Sequence, residues 1–160
     1  MPIEDWALLA CVVSAALWSG LLAMLTTIVH PMLKPMSGES FAGFLGAFLP
    51  IARRSAFNYA MVIALVAAPI TALIGMGGDQ AGETVFILTA AGLALTVSGP
   101  LLVSNRLAAP NYDEILSWDP QAVPEGWETA RARYFKLNWI RAGATWAALA
   151  FFVAALAERL

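Results

Sequence analysis

Four long apolar stretches dominate the pattern of hydrophobic and polar positions along this chain. Each contains the roughly 20 residues that a helix needs to cross the hydrocarbon core of a bilayer. A helix also satisfies its own backbone amides, which is the condition for crossing lipid. The pattern therefore predicts an all-α fold, an integral membrane four-helix bundle forming a single domain over residues 1–160. We place its spans at about 6–29, 55–76, 84–107 and 135–157.

The connection between the first two spans has a helical pattern of its own. The first span is expected to end at His30, because a residue before proline is biased out of the helical conformation. Ser37 then offers an N-cap, and apolar residues recur at helical spacing before Pro50, namely Phe41, Phe44, Leu45 and Phe48. About a dozen residues are too few to span a bilayer. This segment is predicted to be a short interfacial or re-entrant helix between helices 1 and 2.

The remaining connections carry breaker residues. Glycines within 75–79 predict a tight turn that keeps helices 2 and 3 as antiparallel neighbours. Pro100 removes one backbone hydrogen bond inside helix 3 and is expected to kink it. Residues 109–126 contain several acidic and proline residues and are predicted to form a loop. Helix 4 is expected to start near Glu128, well before the residues that enter the bilayer.

Composition narrows the class of protein. Hydrophobic residues make up 60% of the chain, charged residues 12%, and the mean hydropathy is +0.72. These values exclude an ordinary soluble domain, and a net charge of −2 without a basic patch argues against nucleic-acid binding. Cys11 is the only cysteine, so it permits no internal disulfide. The first residues lack the positive region of a signal peptide, so we expect the first helix to be retained.

Lysine and arginine residues predict the orientation. They cluster in the first and third connections and the adjoining helix ends, at Lys34, Arg53, Arg54, Arg106, Arg131, Arg133 and Lys136. The positive-inside rule then places both termini outside and connections 1 and 3 in the cytoplasm. A bacterial inner membrane is the expected location, with the lipid bilayer as the first partner.

Helix 4 carries a polar face inside its apolar span. Tyr134, Asn138, Arg141 and Thr145 share that face, because they are spaced by four, three and four residues. A buried arginine costs at least ~2.5–3.5 kcal/mol without compensation, so Arg141 indicates a functional site. The alternative is that Arg141 extends to the interface while Asn138 bonds a neighbouring helix.

Asn105 and Arg106 are predicted to end helix 3 on the same side of the membrane. They could converge with the polar face of helix 4 on one site. Alternatively, Arg106 anchors the helix in the headgroups and Asn105 only terminates it.

His30 is the only histidine, and its side chain has an unperturbed pKa near neutrality. It could act as a general base or be a satisfied interfacial residue. It could also hold one axial position of a haem, with Met32 or Met36 as partner. The chain has no cysteine–histidine cluster or carboxylate pair at metal-binding spacing, so no metal site is predicted.

Trp118 and Trp127 flank the acidic, proline-rich part of the third connection. Interfacial tryptophans commonly form a belt at the membrane surface. Their functional interpretation is that they wall the mouth of a pocket for a small flat aromatic ligand.

The second half of the chain resembles the anthrone-oxygenase-like family of small four-helix membrane proteins, long catalogued as a domain of unknown function. The resemblance covers about 60 residues and rests on Ser104–Leu107, Ser117–Pro120, Trp127, Leu137–Asn138 and Arg141. Characterised fungal members are similar to oxygenases that convert anthrones to anthraquinones. The resemblance implies a membrane oxygenase or oxidase for an activated carbon acid, which needs no cofactor because the carbanion can reduce dioxygen directly.

In that interpretation His30 is the base, and Arg141, Asn138 and Asn105 donate hydrogen bonds to the developing oxyanion. The substrate-binding residues are then Asn105, Arg106, Trp118, Trp127 and Tyr134. Two other functions stay open. One is a non-enzymatic membrane binding or accessory subunit, and the other is a haem- or metal-bearing redox protein that uses His30.

Overall fold

Five helices make up the computed structural model, which describes residues 2–159. Helix α1 spans Ile3–Leu33, α2 Gly38–Arg54, α3 Ala56–Gly75, α4 Thr84–Leu116 and α5 Trp127–Arg159. All but α2 are long and apolar enough to cross a membrane. The predicted all-α four-helix membrane bundle is therefore confirmed.

The four spanning helices form a ring. Helix α1 packs against α3 and α5, and α4 packs against the same two helices from the other side. Large apolar side chains remain exposed on the outside, as expected for a surface that faces lipid; examples are Ile63, Ile74, Ile87 and Val153. The protein is thus an integral membrane protein.

Helix α2 lies at one end of the ring. Its apolar residues Phe41, Leu45 and Leu49 pack in one cluster with Leu33, Ile115, Ala130 and Tyr134 from α1, α4 and α5. The predicted N-cap is confirmed, because the Ser40 amide donates to Ser37 Oγ at 3.3 Å. The helix has 17 residues and continues through Pro50 to Arg54, so it is longer than predicted.

The predicted end of the first helix at His30 is wrong. Helix α1 continues to Leu33, and Leu25–Val29 adopt a π-helical turn just before the proline. The wider turn lets the His30 amide donate to the Leu25 carbonyl, five residues back. This change of hydrogen-bond register accommodates Pro31, which has no amide hydrogen to donate.

The predicted end of the third helix at Asn105 and Arg106 is also wrong. The helix continues to Leu116, so the first eight residues of the predicted loop are helical. The irregularity expected at Pro100 takes the form of a π-helical stretch, Val97–Ala108. Helix α5 begins at Trp127, one residue before the predicted Glu128.

Two glycines let α4 approach α5 closely. A Cβ on Gly92 would collide with the Phe152 ring, and one on Gly99 would collide with the Ala144 methyl group.

In the turn between α3 and α4, Gly78 adopts a φ of +76°. That residue confirms the tight turn predicted for residues 75–79.

Candidate functional site

A hydrogen-bonded group of polar side chains connects α4, α5 and α1 near the end of the bundle that carries α2. Arg141 Nη1 donates to Asn138 Oδ1 at 2.9 Å and to the Tyr112 hydroxyl at 3.1 Å. The Tyr112 hydroxyl in turn donates to Asn138 Oδ1 at 3.4 Å. We call Arg141, Asn138, Tyr112 and His30 the polar cluster.

His30 joins the polar cluster through Asn138. Asn138 Oδ1 accepts from Arg141 and Tyr112, so its amide nitrogen must point the other way, where it lies 3.4 Å from His30 Nε2. Asn138 Nδ2 can only donate, so a hydrogen bond at this contact requires the tautomer in which His30 Nε2 accepts and Nδ1 carries the proton. Nδ1 is buried and has no hydrogen-bond partner among the described residues. The separation is at the long end for a hydrogen bond, so this contact is weak.

The local helix geometry explains why these side chains meet. On α5 the predicted polar face is confirmed, because Tyr134, Asn138 and Thr145 are buried and Arg141 is half-buried. Thr145 Oγ1 donates to the Arg141 carbonyl at 2.8 Å, within the same helix. Tyr112 reaches the cluster only because α4 continues past the predicted end of its span.

A cavity of about 570 Å³ lies beside the polar cluster. Its wall is mostly apolar, with contributions from Trp18, Leu22, Leu25, Phe48, Leu49, Phe57, Val62, Pro100 and Leu101. Polar side chains reach it at a few points, among them Arg141, Tyr112, Ser104, Asn105 and Asn58. An apolar wall with a few polar groups is typical of small-molecule sites, whose volumes run from roughly 300 to 1,000 Å³.

The charge of Arg141 is not balanced by an acid. The ion pairs among residues 2–159 involve Arg53, Arg133 and Arg159, and none of them includes Arg141. Its Nε is buried without a hydrogen-bond partner in the described part of the chain. The guanidinium is therefore a positive group at the edge of an apolar cavity, held by neutral neighbours only.

The structure brings some of the predicted site residues to the cavity. Arg141, Asn105 and Tyr134 line its wall. Asn138 and His30 lie behind that wall, where His30 packs against Phe135 with ring centroids 4.4 Å apart. His30 therefore does not line the cavity and is connected to its wall through Asn138 and through Tyr134, whose ring centroid lies 5.6 Å from that of His30.

Three other predicted residues lie elsewhere. Arg106 is exposed and does not line the cavity. Trp127 packs 5.7 Å from the Phe41 ring and under the Arg131 guanidinium, and Trp118 joins the same α2 cluster. Both tryptophans thus contact α2 and not the mouth of the cavity.

Sequence reasoning missed Tyr112, because residues 109–126 were assigned to a loop. One signal could have found it: Ser104, Ala108 and Tyr112 continue a helical spacing of four beyond the apolar span. Its neighbour Asn111 was missed for the same reason. Asn111 is buried and its Nδ2 donates to the Ala130 carbonyl at 3.2 Å, which ties α4 to α5.

No group of three or more histidine, cysteine, aspartate or glutamate side chains within the described residues could hold a metal ion.

Comparison with protein-family models, with curated proteins and with solved structures finds no match for this chain.

Proposed function

We propose that the protein is a membrane-embedded oxygenase or oxidase that acts on a flat, weakly acidic aromatic compound of the anthrone type. The observation that carries the proposal is the Arg141 guanidinium, which contacts an apolar cavity of about 570 Å³ and lacks an acidic partner among the described residues. The resemblance to the anthrone-oxygenase-like family motivates the choice of substrate.

The charge of Arg141 favours a substrate that becomes an anion. Keeping an arginine inside an apolar span costs at least ~2.5–3.5 kcal/mol, so a ligand anion would recover part of that cost. Arg141 can donate its remaining N–H groups to a ring oxygen in the cavity, and the Tyr112 hydroxyl can donate to that oxygen in place of its long bond to Asn138. Donors held in place beside developing charge stabilise a transition state most in a water-poor site.

The chemistry requires little beyond this stabilisation. Loss of a ring C–H proton to water gives a carbanion whose charge is delocalised onto the ring oxygen beside Arg141. The carbanion transfers an electron to dioxygen, and the resulting radical pair forms a C–O bond to give a peroxide anion. The first proton returns from water to the peroxide anion and gives a hydroperoxide. Loss of the second C–H proton to water then breaks the O–O bond and releases hydroxide, and that proton and the hydroxide combine as water. Anthrone and dioxygen thereby become anthraquinone and one water molecule.

The arrangement supports a revised role for His30. Because its Nε2 accepts from Asn138 and its ring lies behind the cavity wall, we propose that it is a positioning residue that orients Asn138. A haem would need that same nitrogen or the buried Nδ1, so ligation would require breaking the existing packing.

A membrane binding subunit that holds a lipid-soluble anion without turnover is the second candidate function, because the arginine without an acidic partner, Arg141, also favours an anionic ligand.

We also propose that the end carrying α2 faces the cytoplasm. Lys34, Arg53, Arg54, Arg131 and Arg133 all lie at that end of the antiparallel bundle. The positive-inside rule favours this orientation.

Oxygen consumption with anthrone in lipid nanodiscs tests the function. The parent is expected to form anthraquinone with one ¹⁸O atom from ¹⁸O₂. Arg141→Met is expected to lower kcat/KM by at least about 100-fold, since it removes an oxyanion donor. Tyr112→Phe is expected to lower it by about tenfold, the effect of one neutral hydrogen bond.

Arg133→Met is the matched control, because Arg133 is on the same helix but is half-exposed and pairs with Glu114. It should retain parental activity. The enzymatic proposal is wrong if the parent oxidises anthrone no faster than Arg141→Met or empty nanodiscs. Tight binding of anthraquinone without turnover would instead support the binding subunit.

A further inference from the structure

Helices α3 and α4 separate at the end of the bundle that carries the polar cluster. Helix α3 packs along the first half of α4, Thr84–Thr96, but hardly touches the π-helical stretch Val97–Ala108. That stretch packs instead on α5, where Gly99 lies against Ala144. The close approach of α4 to α5 therefore leaves a gap on the α3 side.

The cavity reaches the outer surface at this gap. Val62 of α3 and Leu101 and Asn105 of α4 all line the cavity, and Asn105 is exposed. Asn105 directly precedes the exposed Arg106, so its amide lies where the apolar part of α4 ends. Asn105 can offer a hydrogen bond to an oxygen atom that passes from the bilayer to Arg141.

The water-facing end is covered in part by α2, and Arg53 lines the cavity there with its side chain 45% exposed. Helix α2 lies across it and contributes Phe48 and Leu49 to the cavity wall. Arg53 Nη1 pairs with Asp113 Oδ1 at 2.7 Å, which links α2 to the extension of α4. A ligand from water would have to pass this layer, whereas a ligand dissolved in lipid would not.

We propose that the gap between α3 and the π-helical stretch of α4 is a lateral portal, through which a flat, weakly acidic aromatic compound dissolved in the bilayer reaches Arg141. The inference rests on the proposed function and adds that the substrate is taken from lipid and not from water. Its apolar rings pass between Val62 and Leu101, and its oxygen moves from Asn105 to Arg141. The product, which is also apolar and flat, leaves by the same route.

The cavity also reaches the surface on the α1 side and at the start of α3, where Phe57 and Tyr59 line it and are 48% and 61% exposed. Met24 of α1 and Ile51 of α2 line it and are exposed, at 46% and 74%. Helix α1 packs on α3 along Ile3–Met24, and this opening lies beyond that packed part, at the end that carries α2. The experiment therefore compares both sides.

Exchange of 2-fluoroanthraquinone between lipid and protein in bicelles, followed by ¹⁹F NMR, gives the association and dissociation rates without turnover. Leu101→Trp is expected to slow both rates by roughly tenfold and leave Kd nearly unchanged, because a narrowed portal raises one barrier for both directions. Leu102→Trp is the matched control, since Leu102 is the next residue, is 52% exposed and does not line the cavity. It should leave both rates within about twofold of the parent.

Several results would overturn the portal. Slow exchange in Met24→Trp together with the parental rate in Leu101→Trp would assign entry to the α1 side. Faster exchange in Asp113→Asn would assign it to the water-facing end. Absence of any bound population in the parent would refute binding of the product in this cavity and its exit through the portal. Portal kinetics as expected, without oxidation of anthrone, would support the portal and refute the enzymatic function alone.

Discussion

Replacing Asn138 by leucine tests the polar cluster most directly. Asn138 is fully buried and connects three side chains: it accepts from Arg141 at 2.9 Å and from Tyr112 at 3.4 Å, and it donates to His30 at 3.4 Å. Leucine has nearly the same size, so it removes these hydrogen bonds without leaving a large space. All three partners then lose their contact with residue 138.

The expected loss follows from the geometry. Side-chain hydrogen bonds between membrane helices average about 0.6 kcal/mol, with a maximum near 1.7 kcal/mol. The bond from Arg141 lies within α5, but it is short and charged, and a hydrogen bond to a charged group contributes at least about 1.5 kcal/mol. The two long bonds, to α4 and α1, should stay at or below the average for bonds between helices. Asn138→Leu should therefore lower the free energy of unfolding by about 2–3 kcal/mol.

Reversible unfolding in bicelles measures this change. Thr145→Val is the matched control, because Thr145 is buried on the same face and bonds only to the Arg141 carbonyl of its own helix. Its loss should stay below about 1 kcal/mol. Asn138→Leu with a loss no larger than that of Thr145→Val would refute the role assigned to the cluster.

The same variant has a spectroscopic signature. His30 is the only histidine, so ¹⁵N-histidine labelling of a protein without a histidine tag reports on this ring alone. The parent should show a protonated Nδ1 and an unprotonated Nε2, because Nε2 accepts from Asn138. Loss of that donor in Asn138→Leu should shift the tautomer population toward protonated Nε2. A parent ring already protonated on Nε2 would contradict the amide orientation.

Two further predictions concern packing and charge. Gly99→Val should lower the free energy of unfolding by about 1–3 kcal/mol, because the larger side chain is overpacked against Ala144. The double variant Gly99→Val/Ala144→Gly should recover part of this loss in the same bicelle unfolding measurement. Arg159 donates to Glu4 and Asp5 at 2.7 Å each, with all three side chains less than 20% exposed. Arg159→Met should therefore cost about 1.5–3 kcal/mol, and an unchanged unfolding free energy would show that this clamp between the two ends of the chain contributes nothing.

The amino-acid sequence by itself determined the four spanning helices, the Ser37 cap and the glycine turn after α3. These features depend on local properties: a run of apolar residues, a side chain that caps its own helix, and a residue that tolerates positive φ. The polar face of α5 was equally predictable, because helical periodicity alone places Asn138 and Arg141 on one side.

Only the tertiary structure decided what that face meets. Pro31 predicts the end of a helix and Pro100 a kink inside one. Both helices continue, because π-helical turns next to these prolines change the hydrogen-bond register. The extension of α4 then carries Tyr112 to Arg141, from a stretch that local signals assign to a loop. Packing between helices far apart in the sequence also turned Trp127 toward α2, since side-chain partners across a bundle leave no trace in local periodicity.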